Sequence, residues 1–281
     1  MKTNWIYFSL RNAAFGAILF AASLTGCRDK SEDFTDEESI VENTAVGDNE
    51  VDDAAQASYN GEITAKGARA EGALPACAIV TNDKVNKIFT IDFGTGCAGL
   101  NGRTRSGKML IQYSGVLGDS TANRTITFEN YKVNGKSVEG VIEVRDILKN
   151  SSGNLQATRR LLNLKITFAN GKYIIFNGDR TREWIGGFGN GDPNDNVYKV
   201  TGILTGVSST GRTITNEIIS PITVDFSCAK SGNLARTKGI IEITKVGGYA
   251  DRKRTIDYGD GTCDKTFTVS TFRRTYTVTV D

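Results

Sequence analysis

The sequence predicts an all-β protein, an antiparallel up-and-down meander of about ten to twelve strands. Two observations predict this fold class. Apolar and polar residues alternate over most of the chain from Val85 onward, and turn sequences separate the alternating runs at short intervals. No segment shows a helical period of useful length. So many strands must curve, split or close rather than stay flat, which leaves a curved sheet, a sandwich-like fold and a barrel-like fold open.

The clearest hairpin is centred on Asn134-Gly135. The run 125–133 places Ile126 and Phe128 on one face, and a second alternating run follows over 138–147. Asn-Gly between two such runs is a strong hairpin signal, because both residues tolerate positive φ. The sequence likewise predicts turns at Asn170-Gly171, Asn177-Gly178, Thr210-Gly211 and Gly247-Gly248. The positions between the apolar residues are mostly Thr, Arg, Lys and Asn. One face of the sheet is therefore expected to be exposed to solvent.

The N-terminus has the layout of a secretory signal. Lys2 and Arg11 form a charged head, and the apolar stretch 13–24 is too short to span a bilayer comfortably. Its end, Leu24-Thr-Gly-Cys27, resembles the bacterial lipoprotein box. That resemblance implies cleavage before Cys27, acylation of its thiol and anchoring by lipid.

The residues after Cys27 bear on location. Arg-Asp-Lys-Ser-Glu-Asp resembles the acidic export signals that place Bacteroidetes lipoproteins on the outer face of the cell. Arg28 stands where an Asp would favour inner-membrane retention in enteric lipoproteins. We therefore expect an outer-membrane protein that faces the cell exterior.

The net charge of +2 hides a strong asymmetry. Residues 28–59 carry eleven acidic and two basic residues, which leaves +9 on residues 60–281. The acidic segment lacks hydrophobic periodicity and predicts a disordered tether, although it could also fold back on a basic face. The expected organisation is a signal peptide over 1–27, a tether over 28–70 and a single β domain over 71–281.

Four cysteines remain after Cys27, an even number that suggests disulfides in an exported chain. Of three possible pairings, we favour Cys77–Cys97 and Cys228–Cys263, because each pair is local. Zinc binding is the weaker alternative, since the chain has no His and no Cys-x-x-Cys spacing.

Two segments of the chain are similar in sequence, Thr90-Ile-Asp-Phe-Gly-Thr-Gly-Cys97 and Thr255-Ile-Asp-Tyr-Gly-Asp-Gly-Thr-Cys263. Together with the segments 102–108 and 211–215, they resemble a group of uncharacterised Bacteroidetes lipoproteins over residues 75–281. The resemblance implies a shared architecture and export. It implies no activity and no binding residue.

The function that the sequence favours is binding or structural, directed toward an acidic glycan or envelope polymer. The candidate residues are basic and lie at expected turns: Arg103, Arg105, Lys108, Arg252, Lys253 and Arg254. The segment 102–109 has Walker A spacing but ends in Met109, where a P-loop needs Ser or Thr, so no nucleotide is expected. No metal or other cofactor is predicted, and the oligomeric state stays open.

The alternative function is a carboxylate-based glycan enzyme. Its candidate carboxylates are Glu129, Glu143 and Glu183. The absence of His and of a Gly-x-Ser-x-Gly elbow weighs against catalysis. Trp184 could stack on a sugar, but a buried position in the sheet is the commoner role of such a residue.

Overall fold

One antiparallel sheet dominates the described chain in the computed structural model. The structure describes residues 30–65, 67, 74–99, 102–115, 121–245 and 253–280, with side chains from residue 38 onward. Within these ranges the strands are β1 (Ile79–Asp83), β2 (Ile88–Asp92), β3 (Cys97–Ala98), β4 (Thr104–Ser114), β5 (Asn123–Val133), β6 (Lys136–Lys149), β7 (Leu155–Thr167), β8 (Tyr173–Gly186), β9 (Val197–Ser208), β10 (Thr213–Asp225), β11 (Arg236–Lys245), β12 (Arg254–Asp260), β13 (Thr266–Ser270) and β14 (Thr275–Thr279). The α-helices are α1 (Lys30–Ala65) and α2 (Phe226–Lys230), and a 3₁₀ turn covers Pro193–Asp195.

The strand order follows the chain, with β1 and β14 at the edges and β3 paired only to β4. The predicted antiparallel meander is confirmed, with fourteen strands in the described residues instead of ten to twelve. Asn134 and Gly135 both have positive φ in the β5–β6 turn, as the Asn-Gly hairpin requires. Asn170-Gly171 and Thr210-Gly211 also lie between paired strands, whereas 246–252 lies outside the described residues.

The turn predicted at Asn177-Gly178 is wrong, because both residues lie inside β8. Gly178 has a φ of 128°, and a Cβ atom there would lie 2.8 Å from the carbonyl oxygen of Ile203 on the neighbouring strand β9. The Asn177 side chain accepts a hydrogen bond from the backbone amide of Asn163 at 2.8 Å, next to an irregularity in the β7–β8 register. Irregularities of this kind recur between the central strands and bend them, so the sheet curves.

The helix α1 occupies the concave side of this curved sheet. Val41, Ala45 and Val51 are almost completely buried and join the core formed by the inward-facing residues of the strands. The predicted disordered tether is therefore wrong, and the β domain expected over 71–281 includes this N-terminal helix. The physical reason is charge: acidic residues of α1 pair with arginines that the sheet points inward.

Two glycines let the helix approach the sheet closely. A Cβ atom on Gly47 would lie 2.9 Å from the ring of Phe176 on β8. A Cβ atom on Gly61 would lie 2.8 Å from Cγ1 of Ile91 on β2, and closer still to its Cδ1. Both glycines thus stand where any larger residue would have to displace a side chain of the sheet.

Candidate functional site

The centre of the molecule is a buried network of carboxylates and arginines. Arg236 donates to Asp52 from Nε at 2.8 Å, and Arg159 donates to the other Asp52 oxygen at 2.6 Å. Asp48, one helical turn earlier, lies 3.4 Å from Arg236 and 3.6 Å from Arg180. We call these five residues the carboxylate–arginine core. Each side chain in it is at most 2% exposed.

Further pairs extend this pattern along α1. Asp53 accepts two hydrogen bonds from Arg105 on β4, at 2.6 and 2.8 Å. Glu62, near the end of the helix, forms a two-point pair with Arg124 on β5, at 2.6 and 2.7 Å. The helix is thus attached by ion pairs to strands from both halves of the sheet.

The ion pairs decide the protonation state of the buried acids. Burial alone acts to raise the pKa of Asp52, but Arg236 and Arg159 outweigh it and hold that pKa far below its usual range. Burial likewise opposes ionisation of Asp53, and Arg103 and Arg105 keep its pKa low. Both acids are therefore ionised at neutral pH, and neither suits the role of a proton donor.

A polar cleft of about 500 Å³ opens at one end of the sheet. Four basic residues and one acid give it its charge, and we call it the basic cleft: Arg103, Lys136, Lys230, Lys265 and Glu50. The β3–β4 connection, the β5–β6 turn, α2 and the ends of β13 and β14 supply its walls. Its other lining residues include Asn49, Asn134, Ser231 and Asn233, which offer amide and hydroxyl groups to a ligand.

The floor and the walls of the basic cleft differ in their charge pairing. On the floor, the buried Glu50 pairs with Arg103 and lies 3.3 Å from Lys136. On the walls, Lys265 is exposed, and Lys230 is half-exposed and 3.7 Å from Asp192. The two wall lysines are therefore the charges most accessible to an incoming anion.

A disulfide braces one wall of the basic cleft. Cys228 on α2 is bonded to Cys263, with 5.3 Å between their Cα atoms, and lies two residues before Lys230. The second disulfide joins Cys77 to Cys97, with a Cα separation of 5.7 Å. Both predicted pairings are confirmed.

The six basic candidates from the sequence do not form one exposed surface. Arg103 lines the basic cleft, but Arg105 and Arg254 are buried, so their interpretation as exposed turn residues is wrong. Lys108 pairs with Asp92 at 3.1 Å and Lys253 pairs with Glu242 at 3.1 Å, both on exposed parts of the sheet. Arg252 lies outside the described residues.

The sequence gives no sign that Lys136, Lys230 and Lys265 belong to one site, because only the fold brings them together. The buried arginines did carry a signal. Along β8, Arg180 and Arg182 have the same parity as Ile174 and Phe176, so alternation places them on the apolar face. An arginine in register with a core face predicts a buried acidic partner, because an unpaired buried charge is costly.

The carboxylates considered for glycan cleavage lie on strands away from the basic cleft. Hydrogen bonds from Asn154, Lys199 and Asn150 lower the pKa of Glu183 to about 2, which does not suit a general acid. Glu129 is exposed and Glu143 is half-buried on the outer side of the sheet. Trp184 is buried between the rings of Tyr59 and Tyr198. The expected buried position in the sheet is therefore confirmed.

The segment after Met109 continues as β4, so the Walker A-like spacing at 102–109 leads into a strand and not into the helix that a P-loop needs. Cys27 lies outside the described residues. Within the described part of the chain, neither helix combines the length and the apolar character needed to cross a membrane.

The fold and the cleft define a protein with a curved antiparallel sheet around an acidic helix and a basic cleft at one end of the sheet. No protein-family model, curated protein or solved structure matches this chain.

Proposed function

We propose that this protein is a lipid-anchored binding protein of the bacterial cell envelope that holds an acidic glycan unit in the basic cleft. The observation that supports the proposal most directly is the lining of the cleft, with four basic residues against one carboxylate. A volume of about 500 Å³ is in the range of ligand sites, roughly 300–1,000 Å³. The surrounding amides and hydroxyls suit the hydroxyl groups of a sugar.

The described lining of the basic cleft contains no aromatic residue, and this restricts the chemical class of the ligand. A neutral sugar commonly stacks on an aromatic ring, and the cleft offers none. Its attraction must come from charge and hydrogen bonds, which favours a sugar that carries a carboxylate, sulfate or phosphate group. Lys230 and Lys265 would contact that group first.

The test uses the chain from Arg28 onward, which retains every element of the described fold. Titration against an array of acidic and neutral glycans should show binding to acidic ones that weakens as salt rises, since exposed charges are screened over about 8 Å at physiological ionic strength. The variant Lys230→Glu/Lys265→Glu should lose at least tenfold in affinity.

Lys84→Glu is the matched control. It reverses an exposed lysine in the β1–β2 turn, which lies at the end of β4 opposite to the basic cleft. Equal affinities of the control and the double variant would overturn the assignment of the cleft. Equal binding of neutral and acidic glycans would overturn the acidic ligand.

Lipid anchoring at Cys27 has a separate test. Cells that express the full chain with Cys27→Ala should incorporate no palmitate analogue into the protein, and the protein should leave the membrane fraction. Equal label on the variant would overturn the anchor and leave the cleft assignment untouched.

A further inference from the structure

A small cavity lies between α1 and the inner faces of β5 to β8. Its volume is about 40 Å³, and its lining includes three arginines, Arg124, Arg159 and Arg182, together with Glu62 and Trp184. Arg124 and Glu62 pair with each other at 2.6 Å, so that pair adds no net charge. Arg159 is 2% exposed and Arg182 is 6% exposed. The cavity therefore brings Arg159 and Arg182, two buried cations outside the Arg124–Glu62 pair, to the edge of one space between the helix and the sheet.

Positive charge exceeds negative charge at this place. Asp52 is shared by Arg159 and Arg236, and Asp48 lies beside Arg236 and Arg180, so two carboxylates face three guanidinium groups. Arg182 is a fourth cation, and no described carboxylate pairs with it. The excess is two positive charges in a region that water reaches poorly.

The positive charge of Arg182 is only weakly compensated by its neighbours. Its Nη2 donates at 3.1 Å to the neutral side-chain amide oxygen of Gln56, which also accepts from the hydroxyl of Tyr198. Its guanidinium carbon lies 3.2 Å from the centre of the Tyr198 ring. A cation–π contact stabilises a desolvated cation by less than the burial of an unpaired ion costs.

Several N–H groups beside the cavity also lack a hydrogen-bond acceptor. Arg159 Nε, Arg159 Nη1 and Arg182 Nε are buried and have no hydrogen-bond acceptor among the described residues. Burial lowers the pKa of Arg182 to about 10, so it remains protonated at neutral pH. Unused N–H groups on two cations around one cavity are the chemistry of an anion site.

We propose that this cavity binds a small monovalent inorganic anion of chloride or nitrate size, held by Arg159 and Arg182. The size follows from the volume, since a water molecule needs about 10–15 Å³ of such space and 40 Å³ admits only a few water-sized particles. A sugar does not fit, so this site is distinct from the basic cleft. The anion neutralises part of the excess charge and links the sheet to α1.

The experiment measures thermal unfolding of the chain from Arg28 in sodium chloride, with ionic strength held constant by sodium gluconate, whose anion is too large for the cavity. The unfolding temperature should rise with chloride by on the order of 4 °C for each tenfold increase above Kd. An unchanged unfolding temperature would overturn the proposal.

Two variants separate the site from general salt effects. Arg182→Gln removes the unpaired cation, and Gln56→Glu supplies a carboxylate 3.1 Å from it; both should abolish the chloride dependence. Arg160→Gln is the matched control on the outer face, where Arg160 pairs with Asp179, and it should keep the dependence. If Arg182→Gln fails to fold, Gln56→Glu decides alone.

A direct measurement completes the test. Crystals grown in bromide should show an anomalous scattering peak in the cavity beside Arg159 and Arg182. A cavity that holds water only, or an equal chloride response in Gln56→Glu and the unmodified chain, would overturn the anion site.

Discussion

Asp52 on the central helix and Arg236 on β11 form a doubly contacted ion pair, with Nε and Nη2 at 2.8 and 2.7 Å from the same carboxylate oxygen. The two residues are 184 positions apart in the chain. Neither side chain is more than 2% exposed. The pair therefore connects the N-terminal helix to the C-terminal part of the sheet inside the core.

The first prediction concerns this pair. Asp52→Asn should lower the free energy of unfolding by about 3–5 kcal/mol, because it leaves two buried guanidinium groups without their carboxylate. Asp179→Asn is the control, since Asp179 pairs with Arg160 at the surface and should cost about 1 kcal/mol or less. Urea denaturation measures both, and equal losses would contradict the buried role.

The second prediction concerns acid. The pKa values of Asp52 and Asp53 lie below the ordinary value of 3.8, so both groups release protons more readily in the folded state. Their stabilisation is complete above about pH 4 and is lost as pH falls through the folded pKa values. Urea midpoints should therefore decrease below pH 4, with a shallower decrease in Asp52→Asn. Parallel curves for the two proteins would contradict this linkage.

The third prediction concerns Gly61. In an exposed helix, Gly→Ala stabilises by up to about 1 kcal/mol. Here the added methyl would overlap Ile91, so Gly61→Ala should destabilise by about 1–3 kcal/mol. The double variant Gly61→Ala/Ile91→Val should be more stable than the sum of the single changes predicts, because valine lacks Cδ1. Strict additivity would show that the helix and β2 are not in contact there.

The fourth prediction concerns the helix as a whole. A fragment of residues 71–281 should not fold cooperatively, because Arg105, Arg124 and Arg159 lose their carboxylate partners and the apolar concave side becomes exposed. Near-ultraviolet circular dichroism and dye binding measure this, and a peptide of residues 30–65 added in trans should restore native signal. A cooperative unfolding transition of the fragment alone would contradict the prediction.

Much of the sheet is predictable from the sequence because strand alternation and Asn-Gly turns are local signals. The helix is not, because a helix that the sheet surrounds needs no polar face. Asp48 and Asp52 resemble solvated residues unless their partners are known, and those partners lie more than 100 positions away. The basic cleft was missed for the same reason, since Lys136 and Lys265 meet only after the sheet curves.

The early start of α1 has a consequence for the proposed lipid anchor. The helix begins at Lys30, so only two residues separate it from Cys27, or about 10 Å of extended chain from Cα to Cα. A domain on so short a connection cannot range freely above the lipid surface. With the proposed anchor it would turn mainly about its point of attachment. The basic cleft, whose residue Glu50 lies 20 residues or about 30 Å along α1 from Lys30, would then stay within that distance of the attachment point.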